Sequence, residues 1–132
     1  MAKGTYVDGF VIPNHGDLSS WCTQGVLLLN VSLTAKVGSD TYKPRLWMSI
    51  IDSIVHGLTK MDRNIVWMLW GAKAKTLLSD VIGGQGIKLF AAHPSPVNTR
   101  GGFLGCNHFT ECNKILIQKK KTPIDWKIPS KR

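Results

Sequence analysis

Two polar side chains in this chain each stand at the end of an apolar run. Asn30 closes Gly25-Val26-Leu27-Leu28-Leu29, and His93 closes Ile87-Lys88-Leu89-Phe90-Ala91-Ala92. A carboxamide offers a donor and an acceptor in one plane, so it matches a flat polar edge that presents the complementary pair. A neutral imidazole donates a hydrogen bond to an oxygen on which negative charge builds. An Asn or His just past a strand also serves as a helix cap or a satisfied loop residue, so position alone leaves both readings open.

The elements that must position these residues are legible as short apolar runs bounded by turn formers, the pattern of strands buried on both faces. In open parallel sheets ligands sit beyond the carboxyl ends of such strands, which would bring Asn30 and His93 to one pocket. Pro44 opens a helix in which Trp47, Ile50, Ile51, Ile54, Val55 and Leu58 form one apolar stripe, expected to pack on a sheet, with His56 on the surface beside it. Ile65 to Trp70 reads as a further buried strand, followed by Gly71 and a helix from about Ala72 to Val81. Gly83-Gly84-Gln85-Gly86 has no following Lys-Ser/Thr pair and reads as a turn into the strand at Ile87 rather than a phosphate loop. A last helix from about His108 to Ile117 places Phe109, Cys112 and Leu116 on one side. Strands alternating with helices predict a three-layer α/β/α architecture around a short, mostly parallel sheet.

A chain of 132 residues with 43% hydrophobic content accommodates one domain, 1–132, with a modest core. The formal charge of +9 favours polyanionic partners and salt-sensitive binding, but six basic residues and one acid, Asp125, lie between Gln118 and Arg132, so the tail of about 118–132 carries +5 of it. A basic terminus of this kind reads as a solvated, frayed end before it reads as a dedicated contact. Cys22, Cys106 and Cys112 make no even framework and are expected as small buried hydrophobes in a reducing compartment. Cys106, His108 and Cys112 lack the Cys-x-x-Cys knuckle of a zinc site, so neither metal nor cofactor is expected. No run approaches the roughly 20 apolar residues of a membrane span, and Met1 to Phe10 lacks a secretory core, which predicts an intracellular protein.

Several separate strings, in order, carry a resemblance: His15-Gly16-Asp17-Leu18-Ser19-Ser20-Trp21, then Asn30-Val31-Ser32-Leu33-Thr34, Leu69-Trp70-Gly71, His93-Pro94-Ser95-Pro96-Val97, Arg100 to Phe109, and Thr122-Pro123-Ile124-Asp125-Trp126. From about Phe10 to Trp126 the chain resembles the family 1 uracil-DNA glycosylases. The resemblance implies excision of uracil from DNA by hydrolysis of its N-glycosidic bond, with the base flipped out of the stack into a fitted pocket. It implies that Asn30 pairs with the N3 and O4 edge of uracil and that His93 donates to O2 as the base departs. It implies that Ser95 contacts phosphate and that Pro96 stiffens a loop whose wedge is Val97, where the family has leucine. DNA is the implied partner, single- or double-stranded.

Departures from the family pattern bear on the DNA contacts. Asn98 and Ala72 stand where the family has serines, Gly101 where it has an arginine one place after Arg100, and Asp40-Thr41-Tyr42-Lys43 where it has histidines. Each removes or moves a contact that positions the DNA backbone. The chain also has no Asp-Pro pair, so the Gly-Gln-Asp-Pro-Tyr-His loop that supplies the family's water-orienting aspartate is absent; Asp17 reads as a helix cap. The family's first strand, central in its sheet, goes with that loop, so an incomplete sheet is expected, with strands that pair with each other, pair with another chain or expose edges. Three readings follow: the carboxy-terminal portion of a uracil-DNA glycosylase needing an amino-terminal segment to complement it, a non-catalytic nucleic-acid-binding or interaction module on the same half-fold, or segments that merely build a core.

Overall fold

The structure, a computed structural model, describes residues 11–33, 44–84, 86–94 and 106–130. In chain order its elements are α1 (Ser19–Cys22), α2 (Pro44–Met61), β1 (Val66–Trp70), α3 (Ala72–Ile82), β2 (Ile87–Ala91) and α4 (His108–Gln118). The fold is α/β with a sheet of two parallel strands, β1 beside β2, an incomplete sheet as the sequence predicts. The chain divides into two compact units, one formed by Met1–Leu28 with Ala91–Arg132 and one by Leu29–Phe90.

The Leu29–Phe90 unit is built on a helix that hides one face. Ile51 and Val55, one helical turn apart, are fully buried and close a core with Leu69 of β1 and Leu78 and Ile82 of α3. α2 packs mainly on α3, and Leu69 gives it the sheet contact the periodicity predicts. The single stripe expected on α2 divides: Ile50 and Ile54 are 47% and 37% exposed. They sit on a second face that this unit does not cover.

Two glycines in this unit are required by backbone geometry. Gly71, at φ 98°, turns the chain from β1 into α3, and its carbonyl accepts the Lys75 N–H at 3.2 Å. Gly86, at φ 72°, leads into β2 where the Ile87 N–H meets the Ile65 carbonyl at 3.0 Å; a Cβ on Gly86 would lie 2.5 Å from that same oxygen. The other end of the turn is held by Lys88, whose Nζ donates to the Gly83 carbonyl at 2.6 Å and the Ser79 carbonyl at 3.3 Å. A cation therefore sits on the negative end of α3.

The other unit is a set of extended segments pinned to two helices. Asp17 is not the cap expected from the sequence: Leu18 holds the N-cap of α1 with no side-chain cap hydrogen bond, and Asp17, one residue further out, accepts the Ser19 N–H on Oδ1 at 2.9 Å in an Asx turn. Trp21, Phe109 and Trp126 stack edge to face or tilted, with centroids 5.0 to 5.9 Å apart. Both indoles are satisfied: Trp126 Nε1 donates to the Phe109 carbonyl and Trp21 Nε1 to the Trp126 carbonyl. Asn113 brackets Ile124, donating to its carbonyl at 2.8 Å and accepting its N–H at 2.7 Å. Gln24 does the same for Asp125, and His15 reaches the Pro129 carbonyl at 2.6 Å.

Three further expectations are corrected here. Val26 to Leu29 is not a strand, because a run of strand-forming residues becomes one only by pairing, and it has no sheet neighbour among the described residues; Leu27 and Leu28 are exposed. Over its described residues, to 130, the basic tail is not frayed. Lys119-Lys120-Lys121 ends α4 in a Schellman turn, Lys121 N–H to the Leu116 carbonyl at 2.8 Å and Lys120 N–H to the Ile117 carbonyl at 3.0 Å, with Lys120 left-handed at φ 57°. The cysteines are not uniformly buried: Cys22 is exposed, Cys106 intermediate and Cys112 buried.

Candidate functional site

Asn30 is placed by alternation. Leu29 and Val31 on either side pack against the Ile51–Val55–Leu69–Leu78–Ile82 core, so successive side chains point in, out and in. Asn30 is the outward one and is exposed. The position therefore follows from the hydrophobic register of its neighbours, even though no strand forms there.

His93 is placed by β2. It lies two residues past Ala91, is exposed, and is followed by Pro94, which restricts its backbone to extended conformations. Asn30 belongs to the Leu29–Phe90 unit and His93 to the other. Each stands within three residues of a point where the chain passes from one unit to the other. Ser95, Pro96, Val97, Asn98 and Arg100, expected to touch DNA, lie outside the described residues, as does the Asp40-Thr41-Tyr42-Lys43 segment.

Beside the carboxyl ends of the two strands the Leu29–Phe90 unit carries positive charge that the sequence reading passed over. The first turns of α3 hold Lys73 and Lys75 and no acid, and Gly71 supplies no side-chain cap. The Lys75 ammonium lies 5.1 Å from the centre of the Phe90 ring, near the end of β2, an arrangement that favours a cation over an aromatic face. Lysines at the positive end of a helix raise the local potential rather than neutralise it. The signal available in the sequence was the Gly71-Ala72-Lys73-Ala74-Lys75 string, legible as a lysine-bearing helix start once the strand before it is recognised.

Neither candidate residue shares the open depression formed in the other unit by Val11, Asp125, Lys127, Ile128, Pro129 and Ser130, of about 390 Å³. Among the described residues no group of three or more His, Cys, Asp or Glu could hold a metal ion. Burial pushes the Cys112 thiol up to about 11, so it is protonated at neutral pH and is a poor ligand or nucleophile. Among the described residues no helix is long and apolar enough to cross a membrane.

No protein-family model matches the chain. Individual proteins do. A uracil-DNA glycosylase from Francisella tularensis subsp. novicida is 41% identical over 120 residues, 90% of this chain and 54% of that protein. One from Francisella tularensis subsp. tularensis is 40% identical over the same extent. Among solved structures, the mimivirus uracil-DNA glycosylase superposes with a TM-score of 0.78 at 25% identity, covering 89% of this chain and 49% of that one. A substituted mimivirus UNG in complex with UGI gives a TM-score of 0.79, covering 89% and 50%. The α/β fold is thus that of a DNA-repair glycosylase. The chain is similar to uracil-DNA glycosylases, and it spans about half the length of the curated relatives it matches.

Proposed function

We propose that this chain serves base excision repair as the part of a uracil-DNA glycosylase that recognises the base and stabilises its departure. Asn30 reads the N3 and O4 edge of uracil, where cytosine would present the wrong donor and acceptor pattern. His93 donates to O2 as negative charge builds on the leaving base, a pre-aimed donor of the kind that contributes a large share of catalysis. Ser95 holds phosphate, and Pro96 stiffens the loop that presents Val97 as the wedge; Asn98 and Arg100 complete the DNA-facing stretch. Lys73 and Lys75 add sequence-independent attraction for the phosphate backbone. The observation that carries this reading is the 41% identity across 90% of the chain, joined to a register that turns Asn30 outward.

The residues of this chain include no Gln-Asp-Pro-Tyr string to orient water, so the chain by itself excises uracil negligibly. Each 1.4 kcal/mol of lost transition-state stabilisation costs about tenfold in rate. The test is release of uracil from a single-stranded oligonucleotide by the purified chain, by its His93→Ala variant, and by the chain with a complementing segment added. Release that needs both the segment and His93 supports the proposal. Salt-dependent DNA binding with no release under any condition favours a non-catalytic binding module instead.

A further inference from the structure

α4 ends in a run of positive charge. Between Cys112 and Ile124 the chain carries Lys114, Lys119, Lys120 and Lys121 and no acid. Glu111 meets Lys114 from the preceding turn at 3.9 Å, which leaves the three consecutive lysines. Lys119 and Lys120 are exposed and Lys121 partly so.

The backbone of this run is fixed. The N–H groups of Lys119, Lys120 and Lys121 donate to the Ile115, Ile117 and Leu116 carbonyls at 3.0, 3.0 and 2.8 Å. The chain then returns along α4, with Ile124 bracketed by Asn113 and the Trp126 indole donating to the Phe109 carbonyl at 3.1 Å. The lysines therefore stand at the far end of α4, about 16 Å of helix rise from its first residue. Those backbone bonds already satisfy the last carbonyls of the helix, so the ammonium groups are not needed as caps. Lys120 also holds φ 57°, a conformation that suits glycine best. A long charged side chain is kept where the backbone favours none, between two like charges, and a costly local conformation of this kind points to a use for the side chain.

We propose that Lys119, Lys120 and Lys121 form a phosphate-binding surface that holds the backbone of duplex DNA, whatever its sequence, apart from the residues that read uracil. The chemistry selects this partner. Lysine is a point charge suited to phosphate and is depleted at protein interfaces, where aromatic and arginine anchors dominate. The stretch 110–123 has no aromatic residue to stack on an unpaired base and no arginine to read a guanine edge. Backbone phosphates remain, and the duplex presents the denser row of them. A contact of this kind carries no sequence information; it keeps the protein on DNA while the uracil-reading residues are disengaged.

The test is fluorescence anisotropy of a labelled, uracil-free duplex titrated with the full chain at several salt concentrations. The triple variant Lys119→Gln, Lys120→Gly, Lys121→Gln is expected to bind at least about tenfold more weakly, with the slope of log K against log salt reduced by about 2 or more. Lys120→Gly alone should reduce the slope by about 1 while raising Tm, and Lys120→Arg should keep the parent's affinity and slope. Weaker binding in a more stable protein separates a DNA contact from a structural effect. Lys127→Gln removes one charge at the other end of α4, where Trp126 meets Phe109, and should leave the slope unchanged. An unchanged slope in the triple variant overturns the proposal. Equal losses in Lys127→Gln and Lys120→Gly overturn it too, since net charge alone would then account for binding. Poly-glutamate bound more tightly than a duplex of equal charge overturns it in favour of an acidic polypeptide. The duplex contains no uracil, so failure here leaves the roles proposed for Asn30 and His93 standing, and failure of uracil release leaves this surface standing.

Discussion

Gln24 holds Asp125 by both of its backbone groups: Nε2 donates to the carbonyl at 2.9 Å and Oε1 accepts the N–H at 2.7 Å, across 101 positions of sequence. One carboxamide thereby does for an isolated residue what a neighbouring strand does for a sheet. Asn113 does the same for Ile124, so two adjacent residues of the Thr122–Trp126 string are satisfied by side chains alone. That string is a structural clasp that seats Trp126 against Trp21 and Phe109.

Removing either clasp exposes its contribution. Gln24→Ala is expected to cost about 1 kcal/mol, and Asn113→Ala, part-buried, about 2 kcal/mol, since each leaves a backbone donor and acceptor to find other partners. Urea denaturation measures the loss, and hydrogen exchange should accelerate at Ile124 in Asn113→Ala and at Asp125 in Gln24→Ala.

Lys120 occupies the left-handed position of the α4 Schellman turn, where a Cβ costs about 1 kcal/mol or more. Lys120→Gly should therefore stabilise the protein by roughly 1 kcal/mol and raise Tm by a few degrees. Lys119→Gly, one residue earlier at φ −87°, should give no such gain.

Gly86→Ala should be severe. The substitution adds strain at φ 72° and drives a Cβ to 2.5 Å from the Ile65 carbonyl and 2.7 Å from Trp67 Nε1, at the site where β2 joins β1. A loss of about 2 kcal/mol or more is expected in thermal or urea unfolding.

The Cys112 thiol sets a pH limit. Its folded value is about 11 against an unfolded 9.0, raised by burial, so the stability tied to the neutral thiol is complete below pH 9 and lost as pH rises towards 11. Urea midpoints measured from pH 8 to 11 should fall less steeply in Cys112→Ala than in the parent. At pH 8, Cys22 should react first with a thiol reagent and Cys112 only on unfolding.

Lys73 and Lys75 should enter the salt dependence of DNA binding. Each Lys→Ala change is expected to weaken binding similarly on all sequences and to reduce the slope of log K against log salt by about 1. A change in uracil preference on either substitution would show that they touch the base instead.

Much of the fold was legible because local pattern and tertiary packing agree. The periodicity of α2, the apolar run of β1, and the starts of α3, β2 and α4 fall within a residue or so of their expected places. Val26 to Leu29 was misread because strand propensity says what a segment favours beside a partner and nothing about whether the partner exists. Ile50 and Ile54 were folded into one stripe because spacing alone does not say how much of a helix its neighbours cover. The ordered tail was hidden for a different reason: its pins come from Gln24, Asn113 and His15, whose sequence distance from their partners leaves no local trace, and its turn uses a lysine where glycine is the usual signal. Asn30 and His93 were singled out by type and position, and Leu29 and Val31 explain why Asn30 faces outward.

The proposal tested most directly is that Asn30 and His93 each contact uracil. Titrating free uracil into isotopically labelled protein, and following the Asn30 side-chain amide and the His93 imidazole by NMR, tests it without requiring turnover. The account predicts that both signals shift along one weak, millimolar binding curve and that cytosine moves neither comparably. A response from one residue without the other, or an equal response to cytosine, would contradict it.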